Sequence, residues 1–219
     1  GDVSALGTGL LGASAASAAK PVPAVARSLS AITWCLHAPT SGFNLDYHNV
    51  FFASDYEREF MAVFKERTVC DAPTVYICAE DRTPGPGAAP NGPERLLMLV
   101  NAPADGDTRT FSEAQMEAIA NNAFGLLSDC GLDIDTSSGA VHITGPDGFN
   151  NLFPASGGAL YGRASHGMMA SFARPSAASK LPGLYLAGGS VHPGPGVPMA
   201  VMSGRLAASR LLQDSARPD

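Results

Sequence analysis

The C-terminal third of the chain contains a loop whose composition restricts its backbone more than that of any other stretch. Four glycines and three prolines lie between Gly188 and Pro198. Glycine leaves the backbone open to a ligand and proline fixes φ, so such a loop can approach a ligand and still hold one shape. The apolar run 184–187 before it is bounded by glycines and predicts a short buried strand.

A helix is predicted directly after this loop. Pro198 suits a first helical position, and Met199, Met202, Leu206 and Leu211 follow at roughly helical spacing. The first amides of a helix have no intrahelical acceptor and the macrodipole is positive there, so this arrangement predicts a site for negative charge. The alternative is that the Gly/Pro-rich connection only turns the chain.

The run from Leu184 to Pro198, LYLAGGSVHPGPGVP, resembles the C-terminal flavin-contacting signature of the bacterial phytoene-desaturase-like carotenoid desaturases. The likeness is greatest to the members that act on hydroxylated carotenoids. Other segments also resemble the family, in the family's order: 28–38, 48–52, 71–76, 94–97, 101–103, 153–162 and 172–175. The resemblance covers nearly the whole chain, but only the C-terminal part of the family's proteins.

The resemblance implies that FAD is the cofactor. A reduced flavin, anionic around N1 and the C2 carbonyl, suits the N-terminus of the predicted helix. Related flavoproteins often carry an acidic residue where this chain has Ser190, so no charged contact is assigned there. The predicted cofactor-binding residues are Gly188, Gly189, Ser190, His192, Pro193, Gly194, Gly196, Val197, Pro198 and Met199.

A second glycine-rich segment, 153–166, lies near the flavin and the substrate cavity in the family. Its glycines allow close approach of the backbone, and the resemblance makes three neighbouring side chains candidates for substrate binding: Tyr161, Arg163 and His166. The alternative is that these glycines only permit tight packing and that Arg163 is an exposed ion-pair partner.

The remaining sequence predicts a mixed α/β fold with an antiparallel sheet covered on one face. Strands are predicted at 28–38, 49–53, 74–79, 96–100 and 141–144. Capping boxes predict helices from Ser54 to about Arg67 and from Ser112 to near Gly131.

The resemblance implies the C-terminal part of a FAD/NAD(P)-binding Rossmann-like flavoprotein with an antiparallel-sheet substrate domain. Its expected domains are a segment adjoining the FAD domain at 1–24, a substrate-binding domain at 25–150, and a return to the FAD domain at 151–219.

The pattern GxGxxG occurs once, at Gly7–Gly12, but its context is wrong for a dinucleotide site. Only six residues precede it, and no Asp or Glu occurs from Val3 through Leu45 to hold a ribose. It is interpreted as a small-residue loop or helix start. The N-terminal dinucleotide-binding half is expected elsewhere, which makes this chain a fragment. Alone it is expected to bind FAD poorly and to be inactive.

Composition excludes several partners. The net charge is −6 and no Lys/Arg cluster occurs, which argues against nucleic acid. No apolar run is long enough to span a bilayer, and no signal peptide is predicted. The implied partner is a long apolar carotenoid taken from a membrane surface, which predicts a cytoplasmic, peripherally membrane-associated protein.

The cysteines and histidines show no metal-ligand spacing, so no metal site is predicted. Four cysteines are interpreted as reduced core thiols: Cys35, Cys70, Cys78 and Cys130. His192 is either a general base or a residue that fixes the loop by hydrogen bonding. The second interpretation is favoured because desaturation needs a hydride acceptor more than a base. No catalytic residue is assigned.

Two other functions stay open. One is a relative in the same flavin group acting on another lipid or an amine, such as a retinol saturase or an amine oxidase. The other is a truncated lipid-binding module without catalysis. A hydrolase is disfavoured because the GxSxG elbow is absent.

Overall fold

Seven β-strands occur in the computed structural model of the chain, which describes residues 1–83, 90–137, 139–165 and 170–216. They are β1 (Ser30–Ala38), β2 (Thr40–Gly42), β3 (His48–Phe51), β4 (Val75–Ala79), β5 (Glu94–Ala102), β6 (Leu132–Ile134) and β7 (Ala140–Thr144). Five form an antiparallel sheet in the order β3-β4-β5-β1-β7, and β2 pairs with β6. The predicted antiparallel sheet is confirmed.

The described helices include five α-helices. They are α1 (Ser4–Gly7), α2 (Tyr56–Phe60), α3 (Glu113–Asp129), α4 (Pro146–Leu152) and α5 (Val197–Ser215). A π-helix continues α2 over Met61–Glu66. Short 3₁₀ turns lie at Ala15–Ser17, Ala24–Ala26 and Ala170–Ala173. No described helix combines the length and apolar character that a bilayer crossing needs.

The chain divides into two compact units. Unit 1 contains 1–29, 104–108 and 147–219, and unit 2 contains 30–103 and 109–146. The five-stranded sheet and α3 belong to unit 2, whereas the Gly/Pro-rich loop and α5 belong to unit 1.

Alternate residues of the sheet pack against α3 to form the core of unit 2. Ile32 and Trp34 of β1 and Met98 of β5 are almost fully buried, and Leu127 of α3 lies among them. Trp34 meets Phe124 edge to face, with ring centroids 6.5 Å apart. One face of the sheet is therefore covered, as predicted.

Helix α3 begins and ends as its sequence predicts. Ser112 and Gln115 make both hydrogen bonds of the capping box, and the helix ends two residues before Gly131, whose φ is +84°. Both ends are thus fixed by local chemistry.

The start of α2 corrects the sequence prediction. The cap is Asp55, whose side chain accepts from Arg58 N, and not Ser54. A carboxylate competes well for this position because it is a strong acceptor near the positive helix end. Phe60, predicted on the apolar side, is 46% exposed, and Glu59 beside it is 2% exposed.

The predicted strand at 184–187 is wrong for the described residues. Only one isolated bridge forms there, between Ala178 and Tyr185, although Leu186 is buried. A strand needs a neighbour along its length, and an apolar run specifies burial alone. Leu186 packs with Val3, Ala19 and Val191 in the small core of unit 1.

Gly7 is the last residue of α1, and the chain from Thr8 to Gly12 forms a turn with Gly9 and Gly12 at positive φ, so the interpretation as a small-residue loop is confirmed. All four cysteines are free. Cys70 and Cys78 are buried, but Cys35 and Cys130 are exposed, so the prediction of a core position is wrong for those two.

Candidate functional site

The loop before α5 depends on glycine at three points. Gly188, Gly194 and Gly196 have φ values of +126°, +138° and +97°. Side-chain-bearing residues rarely adopt these conformations. A Cβ built at Gly188 or at Gly196 would meet no atom of the described residues within 4 Å, so their packing does not explain these two glycines.

Helix α5 begins at this loop with unpaired amides. Gly196 is the N-cap and makes no side-chain cap, and Ala200 N is the first amide to bond back, to Gly196 O at 2.9 Å. The amides of Val197 and Met199 have no intrahelical acceptor by helix geometry, and Pro198 has no N–H. No acidic residue lies in the first turn, so the helix end can accept an anion.

Ser203 holds the start of the loop against this helix. Its hydroxyl is completely buried, accepts from Gly188 N at 2.8 Å and donates to Ala200 O at 2.6 Å. The loop is therefore attached at both of its ends to the first two turns of α5.

Arg174 joins the loop to the second glycine-rich segment. Its Nη1 donates to Tyr161 O at 3.0 Å and to Gly189 O at 3.1 Å. Its Nη2 donates to Arg163 O and to Ser165 Oγ. Burial lowers the pKa of Arg174 from its ordinary value, but a guanidinium stays charged at neutral pH. One buried cation thus fixes both backbones.

The two segments also touch directly. A Cβ at Gly162 would lie 3.0 Å from the Cβ of Ser190, so glycine permits this contact. Ser190 Oγ accepts from Val3 N at 3.1 Å, and Ser28 N donates to Gly162 O at 2.8 Å. Ser190 therefore joins the loop to the N-terminal segment of unit 1 by a neutral hydrogen bond.

Gly157 has a packing role, as the alternative interpretation of its segment stated. A Cβ there would lie 2.7 Å from Ala104 O and would also overlap the guanidinium of Arg27. Arg27 itself pairs with Asp107 at 2.7 Å. This glycine is required by neighbouring protein atoms.

A cavity of about 220 Å³ lies where the two glycine segments meet. Tyr161, Gly189 and Ser190 line it, with Phe149 and Phe153 contributing apolar surface. The predicted residues 196–199 do not line this cavity. They lie at the exposed start of α5, where Val197 is 79% and Met199 41% exposed.

The remaining predicted residues fall in different places. His192 stacks on Phe172 with ring centroids 5.7 Å apart, and its amide donates to Pro175 O at 2.8 Å. These contacts agree with a role in fixing the loop. Arg163 lines a separate cavity with Lys20 and Lys180. His166 lies outside the described residues.

Sequence reasoning missed Arg174 and Ser203. The segment 172–175 was recognised as family-like, but no role was given to its arginine. An arginine directly before a proline in a segment with few charges was the available signal. No such signal exists in the sequence for Ser203, because the side chain of a serine inside a helix is usually solvated.

A second surface lies on the face of the unit 2 sheet opposite α3. One row of directly paired residues crosses all five strands, and the next row runs beside it. The first row is His48, Cys78, Leu97, Cys35 and His142, and the second is Val50, Tyr76, Leu99, Thr33 and Thr144. Leu97, Leu99 and Tyr76 are half-buried and Val50 is 49% exposed, so the middle of this face is apolar and accessible.

The unit 1 residues fit a flavin. Two positive-φ glycines with open space beside them, and unpaired helix amides with no acidic residue in the first turn of α5, suit a planar ring that becomes anionic on reduction. The groups that would hold it are the backbone of 188–190 and the amides at the start of α5.

Known proteins resemble this chain over almost all of its length. It is 55% identical over 212 residues to hydroxyneurosporene desaturase of Rubrivivax gelatinosus, which covers 97% of this chain and 40% of that protein. It is 45% identical to hydroxyneurosporene desaturase of Cereibacter sphaeroides, and the match covers 99% of this chain and 42% of that protein. It is 32% identical to 1-hydroxycarotenoid 3,4-desaturase of a Flavobacterium species, with 83% and 37% covered.

The chain therefore spans about two fifths of the length of these relatives. The model of a protein family described as flavin containing amine oxidoreductase matches residues 50–212, which include the loop, most of α5 and the strands β4, β5 and β7. The chain belongs to the flavin-containing amine oxidoreductase family.

Proposed function

We propose that the full-length protein is a FAD-dependent carotenoid desaturase that acts on hydroxylated carotenoids, the methoxyneurosporene dehydrogenase or hydroxycarotenoid 3,4-desaturase type. Support comes from the names of the relatives and from the family's flavin. The observation that carries the proposal is the loop 188–199, whose open glycines and helix amides suit a flavin.

In this proposal the reaction removes two hydrogens from adjacent carbons of a polyene and extends its conjugation. The flavin supplies the two-electron acceptor when it is bound. The α5 dipole contributes at most about 1–2 kcal/mol, and enzymatic acceleration requires about 8 kcal/mol or more. Orientation of the polyene and exclusion of water must therefore supply most of the effect.

The proposal divides the work between the two units. Unit 1 binds the flavin through the backbone of 188–190 and the start of α5, and Tyr161, Arg163 and His166 remain candidates for substrate contact. Unit 2 offers the half-exposed apolar face that carries Leu97 and Leu99. We assign 1–24 and 151–219 to a Rossmann-like FAD domain, completed by a preceding segment, and 25–150 to the substrate domain.

We also propose that unit 2 contacts a membrane surface from which the substrate is taken. Four aromatic rings form a continuous aromatic ridge, with centroid separations of 5.7, 5.1 and 6.1 Å along Phe52, Tyr56, Phe60 and Phe64. Phe52, Tyr56 and Phe60 are 63%, 47% and 46% exposed. Aromatic rings favour the boundary between headgroups and acyl chains, and Lys65 beside them is exposed.

Vesicle sedimentation tests the membrane proposal. Replacing Phe52 and Phe60 by serine should lower the bound fraction several-fold on vesicles containing anionic lipid. Val25→Ser removes a 95% exposed apolar side chain outside the ridge and should leave binding unchanged. Equal binding by all three proteins would remove the ridge from the proposal.

Product analysis tests the enzymatic function. The protein, extended upstream to the length of its relatives and loaded with FAD, is incubated with a 1-hydroxylated polyene. A product lighter by two hydrogens, with absorbance moved to longer wavelength, is expected. Unchanged polyene from a protein that retains flavin would reject desaturation, and turnover of an amine or retinol instead would identify another member activity of the family.

A further inference from the structure

The accessible face of the unit 2 sheet carries an aromatic and polar cluster at its β3 edge. His48 Nδ1 lies 2.8 Å from Tyr76 Oη, and the rings of Tyr47 and His48 meet edge to face at 4.6 Å. Cys78 is paired with His48 across the strands. These contacts hold the imidazole of His48 in one orientation beside the apolar middle of the face, where Leu97 and Leu99 lie.

We propose that the His48–Tyr76 pair is a subsite that hydrogen-bonds the oxygen atom at the hydroxylated end of the polyene. The inference rests on the proposed function and adds to it the residues that select the substrate. An apolar cavity distinguishes only weakly between a hydroxylated polyene and the hydrocarbon polyene of the same shape. A site that hydrogen-bonds the hydroxyl oxygen can reject the hydrocarbon, because the site's polar groups would then be left unpaired. Selection for a hydroxylated end therefore requires a directed polar group beside apolar surface.

Most other polar side chains on this face already have protein partners. Thr33 Oγ1 donates to Thr144 O, Asn101 Nδ2 donates to Glu59 Oε1 at 2.9 Å, and Arg95 is held by Asp81. For His48 Nε2, the described part of the chain offers no partner. His37 and His142 are also exposed on this face, but no phenol among the described residues is hydrogen-bonded to either ring.

The protonation of the pair defines what it can bind. Burial and the nearby Cys78 raise the pKa of Tyr76 to about 12, so its phenol keeps its proton at neutral pH. When Tyr76 donates to Nδ1, the imidazole proton lies on Nε2 and is available to a ligand oxygen. A hydroxyl and a methoxy oxygen both accept such a bond, and a hydrocarbon end does not.

The position of His48 suits a ligand lying across the strands. Leu97 is two strands away in the same row, which places it about 10 Å from His48 at the usual strand spacing. A polyene whose oxygen is bound at His48 can therefore run along Leu97 and Leu99, and the polar side chains that it passes on β4 are Tyr76 and Cys78.

The test compares two substrates in the full-length, flavin-loaded protein: a 1-hydroxylated polyene and its hydrocarbon analogue of equal length. In His48→Phe, the ratio of kcat/KM values, hydroxylated over hydrocarbon, should fall at least tenfold, with the hydrocarbon value within about twofold of wild type. Tyr76→Phe should shift the ratio in the same direction. His48→Gln, which retains a donor, should recover part of the ratio.

His142→Phe is the matched control, because His142 lies on the same row at the opposite edge, about 19 Å away by strand spacing. An unchanged ratio in His48→Phe, an equal fall for both substrates, or an equal effect of His142→Phe would overturn the proposal. If the wild-type protein desaturates neither polyene, the proposed function fails. The subsite is then judged by the dissociation constants of the two polyenes, and equal values in wild type and His48→Phe would reject it.

Discussion

The guanidinium of Arg174 donates a hydrogen bond to the carbonyl oxygen of Gly189, with the two atoms 3.1 Å apart. The same nitrogen also bonds Tyr161 O, so one side chain holds two segments that are separated in sequence. Arg174 is 5% exposed. The shape of the loop therefore depends on a residue outside the loop.

Replacing Arg174 by glutamine should lower the free energy of unfolding of unit 1 by about 2–4 kcal/mol, because buried carbonyl groups lose charge-assisted donors. Denaturant unfolding of the 219-residue chain measures this. Arg210→Gln is the control, since Arg210 is exposed and forms an ion pair with Asp214 on the surface of the same helix, where such pairs add little stability. Equal losses in the two variants would contradict the assigned role.

Glu94 makes the stability of unit 2 depend on pH. Burial alone would raise the pKa of Glu94, but hydrogen bonds from Arg82 and Thr40 bring it below its ordinary value. Glu94→Gln should cost about 3–5 kcal/mol at pH 7, because Arg82 is left buried without its partner.

The stabilisation by the Glu94 carboxylate is fully present above the unfolded-state pKa of about 4.3 and is lost as the pH falls through the lower folded-state pKa. The difference in stability between wild type and Glu94→Gln should therefore narrow below about pH 4. Unfolding curves between pH 7 and pH 3 measure it, and a constant difference would contradict the ion pair.

The structure and the sequence pattern assign different N-cap residues to α2. Asp55→Ala should destabilise unit 2 by about 1 kcal/mol, since its side chain accepts from Arg58 N at 2.9 Å. Ser54→Ala should change stability by only a few tenths of a kcal/mol, because Ser54 makes no cap. Denaturant unfolding of both variants measures the difference, and the reverse order would restore the predicted capping box.

Local chemistry explains which elements could be predicted from the sequence. The capping box of α3 and the apolar runs of β1 and β5 predict these elements within a few residues. The order of strands, the short β2–β6 pair and the absence of a strand at 184–187 depend on which backbones become neighbours. No single segment encodes that information.

The candidate site was predictable only as a backbone pattern. The Gly/Pro loop predicted a helix start with free amides, and α5 begins one residue before Pro198. The support from Arg174 and the contact between Gly162 and Ser190 join residues far apart in sequence. The burial of Glu59 could not be predicted from the sequence for the same reason, because it depends on hydrogen bonds from Thr74 N and Asn101, which lie elsewhere in the chain.

The central claim is that the loop ending at Gly196 binds the flavin, and flavin content tests it most directly. Gly196→Val in the full-length protein places a β-branched residue at φ +97°, while Gly183→Val creates similar strain at φ +79° outside the loop. Neither added Cβ meets another atom of the described residues. Bound FAD per folded chain is measured from absorbance. We predict about one FAD in wild type and in Gly183→Val, with loss of bound FAD in Gly196→Val, whereas normal flavin content in Gly196→Val would contradict the assignment.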